Sequence, residues 1–125
     1  MFERMTEDEP KRVLVVDDEK DVQDFVCGVL ADAGYAVDAA GDGEEALVKI
    51  EASRPDLVVL DLMMPGLDGW GVLERLKRAP QPPVVVILSA FPDGWRAIQA
   101  GAWECLAKPF DLRKLLDTCV RALAD

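Results

Sequence analysis

Four apolar runs in this chain each stop at a polar residue suited to chemistry. Arg12-Val13-Leu14-Val15-Val16 stops at Asp17-Asp18, and Leu57-Val58-Val59-Leu60 stops at Asp61. Val84-Val85-Val86-Ile87-Leu88 stops at Ser89, and Glu104-Cys105-Leu106-Ala107 stops at Lys108. An unpaired carboxylate is costly inside an apolar core, but it is tolerated where a strand ends at a ligand crevice. Taken alone, Asp61 reads equally well as a turn residue that caps the loop after it. Taken together, three carboxylates, a hydroxyl and an ammonium are chemically complementary. Clustered carboxylates repel one another unless a cation sits among them. Magnesium takes oxygen ligands in an octahedron and is usually held by one or two carboxylates plus phosphate oxygens. Asp61 can then act as a nucleophile that forms an aspartyl phosphate. The metal and Lys108 would neutralise charge on the transferring phosphoryl group, and Ser89 can donate a hydrogen bond to one of its oxygens.

That chemistry needs all four runs to end on one edge of a sheet. Between the first two runs, Val22, Phe25, Val26, Val29, Leu30 and Ala33 recur at helical spacing, and Gly34 ends the pattern. Ala36 to Ala40 reads as a second, weaker strand, and Gly41-Asp42-Gly43 leads into a helix with Ala46, Leu47 and Ile50 on one face. After a loop over 63–69, a short helix carries Trp70, Leu73 and Leu76 inward. Gln81-Pro82-Pro83 is a turn. Phe91-Pro92-Asp93-Gly94 interrupts the chain before a brief helix from Trp95 to Ala100 that ends at Gly101. Asp111 caps a last helix with Leu112, Leu115, Leu116, Cys119, Val120 and Leu123 on its apolar side. Five strands alternating with five helices, the strands continuously apolar, predict an α/β fold with a doubly wound parallel sheet covered on both faces. Parallel strands all present their carboxyl ends on one edge, which brings the polar termini into one crevice.

The 125 residues argue for one domain, with residues 1–11 a flexible polar tail and residues 12–124 the folded unit. The last helical pattern runs to the chain end, so no effector domain is expected within it. The formal net charge is -10, which opposes direct nucleic-acid binding and anionic lipid while suiting a divalent cation. There is no histidine, so zinc catalysis and histidine acid-base chemistry have no residues to use. Cys27, Cys105 and Cys119 are odd in number and widely spaced, and read as small hydrophobes in a reducing cytoplasm. No stretch is long and apolar enough for a membrane span, and the N-terminus lacks a signal core.

From residue 12 to 124 the chain resembles the response-regulator receiver domain of two-component signalling. The resemblance rests on Val15-Val16-Asp17-Asp18-Glu19, Asp61-Leu62-Met63-Met64-Pro65-Gly66-Leu67-Asp68-Gly69, Ser89-Ala90, Gly101-Ala102 and Lys108-Pro109-Phe110. It implies a flavodoxin-like (βα)5 domain with strand order 2-1-3-4-5. It also implies that Asp61 is the phosphoacceptor, Ser89 the switch hydroxyl and Lys108 the phosphate contact. Magnesium would be held by Asp18 directly, Asp17 largely through water, Asp61 and the Met63 backbone carbonyl, with manganese or calcium able to substitute. The Lys108-Pro109 bond is implied to be cis. The implied phosphodonor is a histidine kinase or a histidine phosphotransfer protein, and the implied output face is formed by helix 4, strand 5 and helix 5. A monomer or weak dimer is expected, with phosphoryl chemistry confined to Asp61 rather than turnover of a metabolite.

Two departures from the pattern carry expectations of their own. Cys105 stands three residues before the lysine, where receivers usually place an aromatic ring, so the usual aromatic readout is expected to be altered. The stretch from Ser89 to Gly101 is shorter than usual by roughly one helical turn, which predicts a short or distorted fourth helix. These departures support an alternative, a receiver-like interaction module whose output does not depend on phosphorylation. Enzyme readings on the same fold fare poorly. An aspartate-nucleophile phosphatase needs a second Asp where Met63 stands, and Asp17-Asp18-Glu19 would repel the bare phosphate of a flavin.

Overall fold

The apolar runs form five strands, β1 Arg12–Val16, β2 Ala36–Ala40, β3 Leu57–Asp61, β4 Val84–Ser89 and β5 Glu104–Ala107. They are separated or followed by helices α1 Lys20–Asp32, α2 Gly43–Ser53, α3 Gly69–Lys77, α4 Gly94–Gln99 and α5 Leu112–Leu123. This computed structural model describes residues 9–90 and 93–124. Most of the expected tail, residues 1–8, and Phe91-Pro92 of the expected break lie outside the described residues. All strand pairs are parallel, in the order β2-β1-β3-β4-β5. β3 therefore sits at the centre, and all five of its residues are buried, including Asp61 at its end. The expected strand order and layering are thus the observed ones.

Side chains alternate across each strand, so every strand supplies both cores. Leu14, Val16, Val58, Leu60, Val85 and Ile87 face α2, α3 and α4 and pack with Ala46, Ile50, Val72, Leu73, Leu76 and Ala97. Val13, Val15, Leu57, Val59, Val86, Leu88 and Leu106 face α1 and α5 and pack with Val26, Leu30, Leu115, Cys119 and Ala122. Among the described residues no helix is long and apolar enough to cross a membrane.

The apolar stripes of α1 and α5 are narrower than their sequences suggest. Phe25 is 53% exposed, and Leu112 and Val120 are 43% and 52% exposed. The burial falls on Val26 and Leu30 in α1, and on Leu115, Thr118, Cys119 and Ala122 in α5. A helix lying on a sheet touches it along one strip, and residues a quarter turn away sit on the flank whatever their polarity. The fourth helix is short, as the missing turn predicts, with six residues and Asp93 as its cap.

Candidate functional site

The carboxyl ends of β1 and β3 are adjacent, since Val16 pairs with Leu60. Asp17 and Asp61 are therefore neighbours by register, and Asp18 follows on the exposed side. One oxygen from each of Asp17, Asp18 and Asp61 lies within 4.8 Å of the others. Lys108 enters from the end of β5. Its Nζ donates to Asp17 Oδ2 at 3.0 Å and lies 3.4 Å from Asp61 Oδ2. Asp61 Oδ1 accepts the Met63 backbone N–H at 3.1 Å, which leaves Oδ2 toward the lysine. Asp17 Oδ1 accepts the Glu19 N–H at 2.9 Å.

The charges are shifted by their surroundings. Burial raises the Asp61 carboxyl above its ordinary value. The Met63 N–H and the Lys108 charge oppose that rise, and the Asp17 charge adds to it. Burial works against the Lys108 ammonium, but its hydrogen bond to Asp17 and the nearby charge of Asp61 outweigh it, so Lys108 is raised. A cluster of three acids with one ammonium keeps a surplus of negative charge. Its donors are all hard oxygens, with no imidazole or thiolate among them, which matches magnesium, manganese or calcium.

Ser89 closes β4 one residue beyond Leu88, the register partner of Asp61. It is buried, and its carbonyl accepts the Lys108 N–H at 2.8 Å. The Lys108-Pro109 peptide is cis. Met63 is 58% exposed, and its backbone N–H is bonded to Asp61 Oδ1. Every residue singled out from the sequence for this chemistry thus stands at one sheet edge.

Two supporting residues were not singled out for the site. Gln23 on α1 donates from Nε2 to the carbonyls of Asp17 and Ala40, each at 3.1 Å, and so ties α1 to the ends of β1 and β2. A polar residue between Val22 and Val26 was its only signal. Asp68 and Gly69 fall at the end of the loop expected over 63–69. Asp68 in fact caps α3, accepting the Gly71 N–H at 3.0 Å. Gly69 allows α3 to start against β3, because a Cβ there would lie 2.5 Å from the Asp61 carbonyl oxygen.

Comparison with known proteins points the same way. The response regulator receiver domain profile matches residues 13–119. The transcriptional regulatory protein HprR of Escherichia coli is 36% identical over 107 residues, spanning 84% of this chain and 48% of that protein. The response regulator MprA of Mycolicibacterium vanbaalenii is 42% identical over 110 residues, spanning 86% of this chain and 48% of that protein. The chain thus spans about half the length of these curated relatives. Among solved structures, the chemotaxis response regulator CheY4 of Vibrio cholerae superposes with a TM-score of 0.85 at 32% identity, covering 91% of this chain and 99% of that one. The profile match runs from the second residue of β1 into α5 and takes in the whole acidic edge, and on that extent the chain belongs to the response regulator receiver domain family.

Proposed function

We propose that this chain receives a phosphoryl group on Asp61 from a histidine kinase or histidine phosphotransfer protein, in a magnesium-dependent step, and passes the signal to a partner at the α4, β5 and α5 face. The observation that carries this reading is the convergence of Asp17, Asp18 and Asp61 within 4.8 Å beside the Lys108 ammonium. Asp17, Asp18, Asp61 and the Met63 carbonyl are the groups that would hold the ion. When bound, it offsets negative charge on the phosphoryl oxygens. Asp61 supplies the attacking oxygen. Its bond to phosphorus forms as the bond from phosphorus to the donor histidine nitrogen breaks, and the imidazole leaves with that electron pair. Lys108 is held in place by Asp17 and offers an ammonium to the charge that Asp61 acquires with the phosphate. The Ser89 hydroxyl donates to a phosphoryl oxygen and draws the end of β4 with it. The same cluster would support loss of the phosphate to water, so the chemistry begins and ends on Asp61 and no metabolite is turned over. The setting is the cytoplasm.

The intact cluster counts against the phosphorylation-independent alternative, since a pure interaction module has no need of a buried carboxylate raised by its own surroundings. The test is incubation with acetyl phosphate and magnesium followed by intact mass. One added phosphate is expected, absent in chelator and in Asp61→Asn. No addition to the wild type, or addition retained in Asp61→Asn, overturns the reading.

A further inference from the structure

Asp18 is the exposed member of the acidic cluster. Asp17 and Asp61 are buried, and each is bonded to a backbone N–H and paired with Lys108. Among the described residues no hydrogen bond or ion pair holds the Asp18 carboxylate. Its direction is therefore set by its backbone. A peptide unit is rigid and planar, so the two units on either side of a residue together fix its Cα–Cβ bond.

Both units beside Asp18 are held. The one after it carries the Glu19 N–H, which donates to Asp17 Oδ1 at 2.9 Å. The one before it carries the Asp17 carbonyl, which accepts from Gln23 Nε2 at 3.1 Å. The same Nε2 donates to the Ala40 carbonyl at 3.1 Å, and that carbonyl also accepts the Asp17 N–H at 3.1 Å. A carboxamide nitrogen has two hydrogens, and both are used here. Both neighbours are acceptors, so a carboxylate of the same length would meet them with the wrong charge. Gln23 is itself fixed in the first turn of α1, where its N–H donates to the Glu19 carbonyl at 3.0 Å. One side chain thus locks α1, the end of β1 and the end of β2 around the peptide that joins the two acids.

We propose that Gln23 is a positioning residue for the divalent-cation site, which orients Asp18 toward Asp17 and Asp61 by holding the Asp17 carbonyl. The inference rests on the reading of this cluster as a magnesium site and names a residue outside the ligand set that determines its affinity. Groups that orient metal ligands through hydrogen bonds contribute strongly to affinity, because a ligand left to wander must be ordered again when the ion arrives. Without Gln23 the Asp17 carbonyl turns to water, the peptide plane rocks, and Asp18 swings outward into solvent.

Magnesium titration calorimetry on the unphosphorylated protein tests this, with urea unfolding in chelator as a separate measure of stability. Gln23→Met keeps the length and helix propensity of the side chain and removes both donors. It is expected to raise the magnesium Kd about tenfold. Gln23→Asn retains the carboxamide one methylene short of the two carbonyls and is expected to weaken binding as well, so it decides the matter if Gln23→Met does not fold. Val26→Ala opens a gap in the core beneath the same helix, and is expected to lower the urea midpoint while leaving the Kd at the wild-type value. A wild-type Kd in both Gln23 variants overturns the proposal, as does an equal rise in Val26→Ala, which would make the effect a general loosening of α1. A wild type that takes no magnesium overturns the magnesium reading of the cluster together with this inference; a wild type that binds it beside unaffected Gln23 variants overturns this inference alone.

Discussion

Asp61 is a carboxylate that the folded chain holds in its least comfortable form. Its pKa is raised, chiefly by burial, so the fold disfavours the ionised form relative to water. The linkage has a definite sign. The Asp61 contribution to stability is complete below the ordinary carboxylate value and is lost as pH rises through the raised one. Asp61→Asn escapes that loss. In chelator it is expected to be more stable than the wild type at neutral pH, with the gap closing in acid, as read from denaturant midpoints at the two pH values. A gap that does not change with pH would remove burial as the cause. Thr118 gives a second case at this scale. It is fully buried on α5, and its hydroxyl is the single buried side-chain oxygen or nitrogen without a hydrogen-bond partner among the described residues. Thr118→Val keeps the shape and removes the unsatisfied group, so a gain of up to about 1 kcal/mol is expected by urea unfolding. Cys119 beside it is also buried, which pushes its thiol up to about 11. It serves as a small apolar core residue and not as a reactive group.

At the scale of elements, α3 and α4 flank the site in opposite ways. α3 is locked to β3. Gly69 N–H donates to the Leu62 carbonyl at 3.0 Å, and no Cβ fits at that position. Gly69→Ala is expected to cost at least about 2 kcal/mol and to slow phosphorylation, because α3 must move off the end of the strand that carries Asp61. α4 is six residues long, starts at Gly94 and presents mostly exposed side chains, with Ala97 its one buried residue. A Cβ on Gly94 would meet nothing within 4 Å. Gly94→Ala is therefore expected to stabilise by about 0.4–1 kcal/mol through the unfolded chain, and to slow amide hydrogen exchange across α4. Cys105 sits half-buried against the core beneath this helix, in place of a ring. The aromatic surface at this edge comes instead from Trp95 and Trp103.

For the whole molecule, a net charge of -10 with three acids converging on one edge predicts that divalent cations stabilise the fold. A ligand that binds only the folded state stabilises it by about 2.7 kcal/mol at a hundredfold excess over its Kd. Magnesium is expected to raise the unfolding temperature well beyond sodium chloride of equal ionic strength, with chelator reversing the rise. Asp18→Asn should lose most of it while folding normally, because Asp18 is exposed and holds up no core. A scanning calorimetry series with magnesium, manganese and calcium checks this. Equal shifts with sodium chloride would reduce the effect to screening.

Much of this protein was legible from its residues. The runs ending at Asp17, Asp61, Ser89 and Lys108 announced both a parallel sheet and the polar cluster at its edge, because an apolar strand that stops at a polar group needs a shared edge to make sense of it. The short α4 was legible too, since a missing turn is a matter of counting. Three things were decided only in three dimensions. Which apolar residues of α1 and α5 are buried depended on the strip of sheet beneath each helix, and Phe25, Leu112 and Val120 fell outside it. The roles of Gln23 and Gly69 arose from backbone groups brought close from distant parts of the chain. The pairing of Lys108 with Asp17 and Asp61, which raises the lysine, and the burial that raises Asp61 came from packing that no spacing encodes. Sequence determines which groups can react and the order in which strands can carry them; only packing sets how far apart they stand, and electrostatic energies depend on that separation.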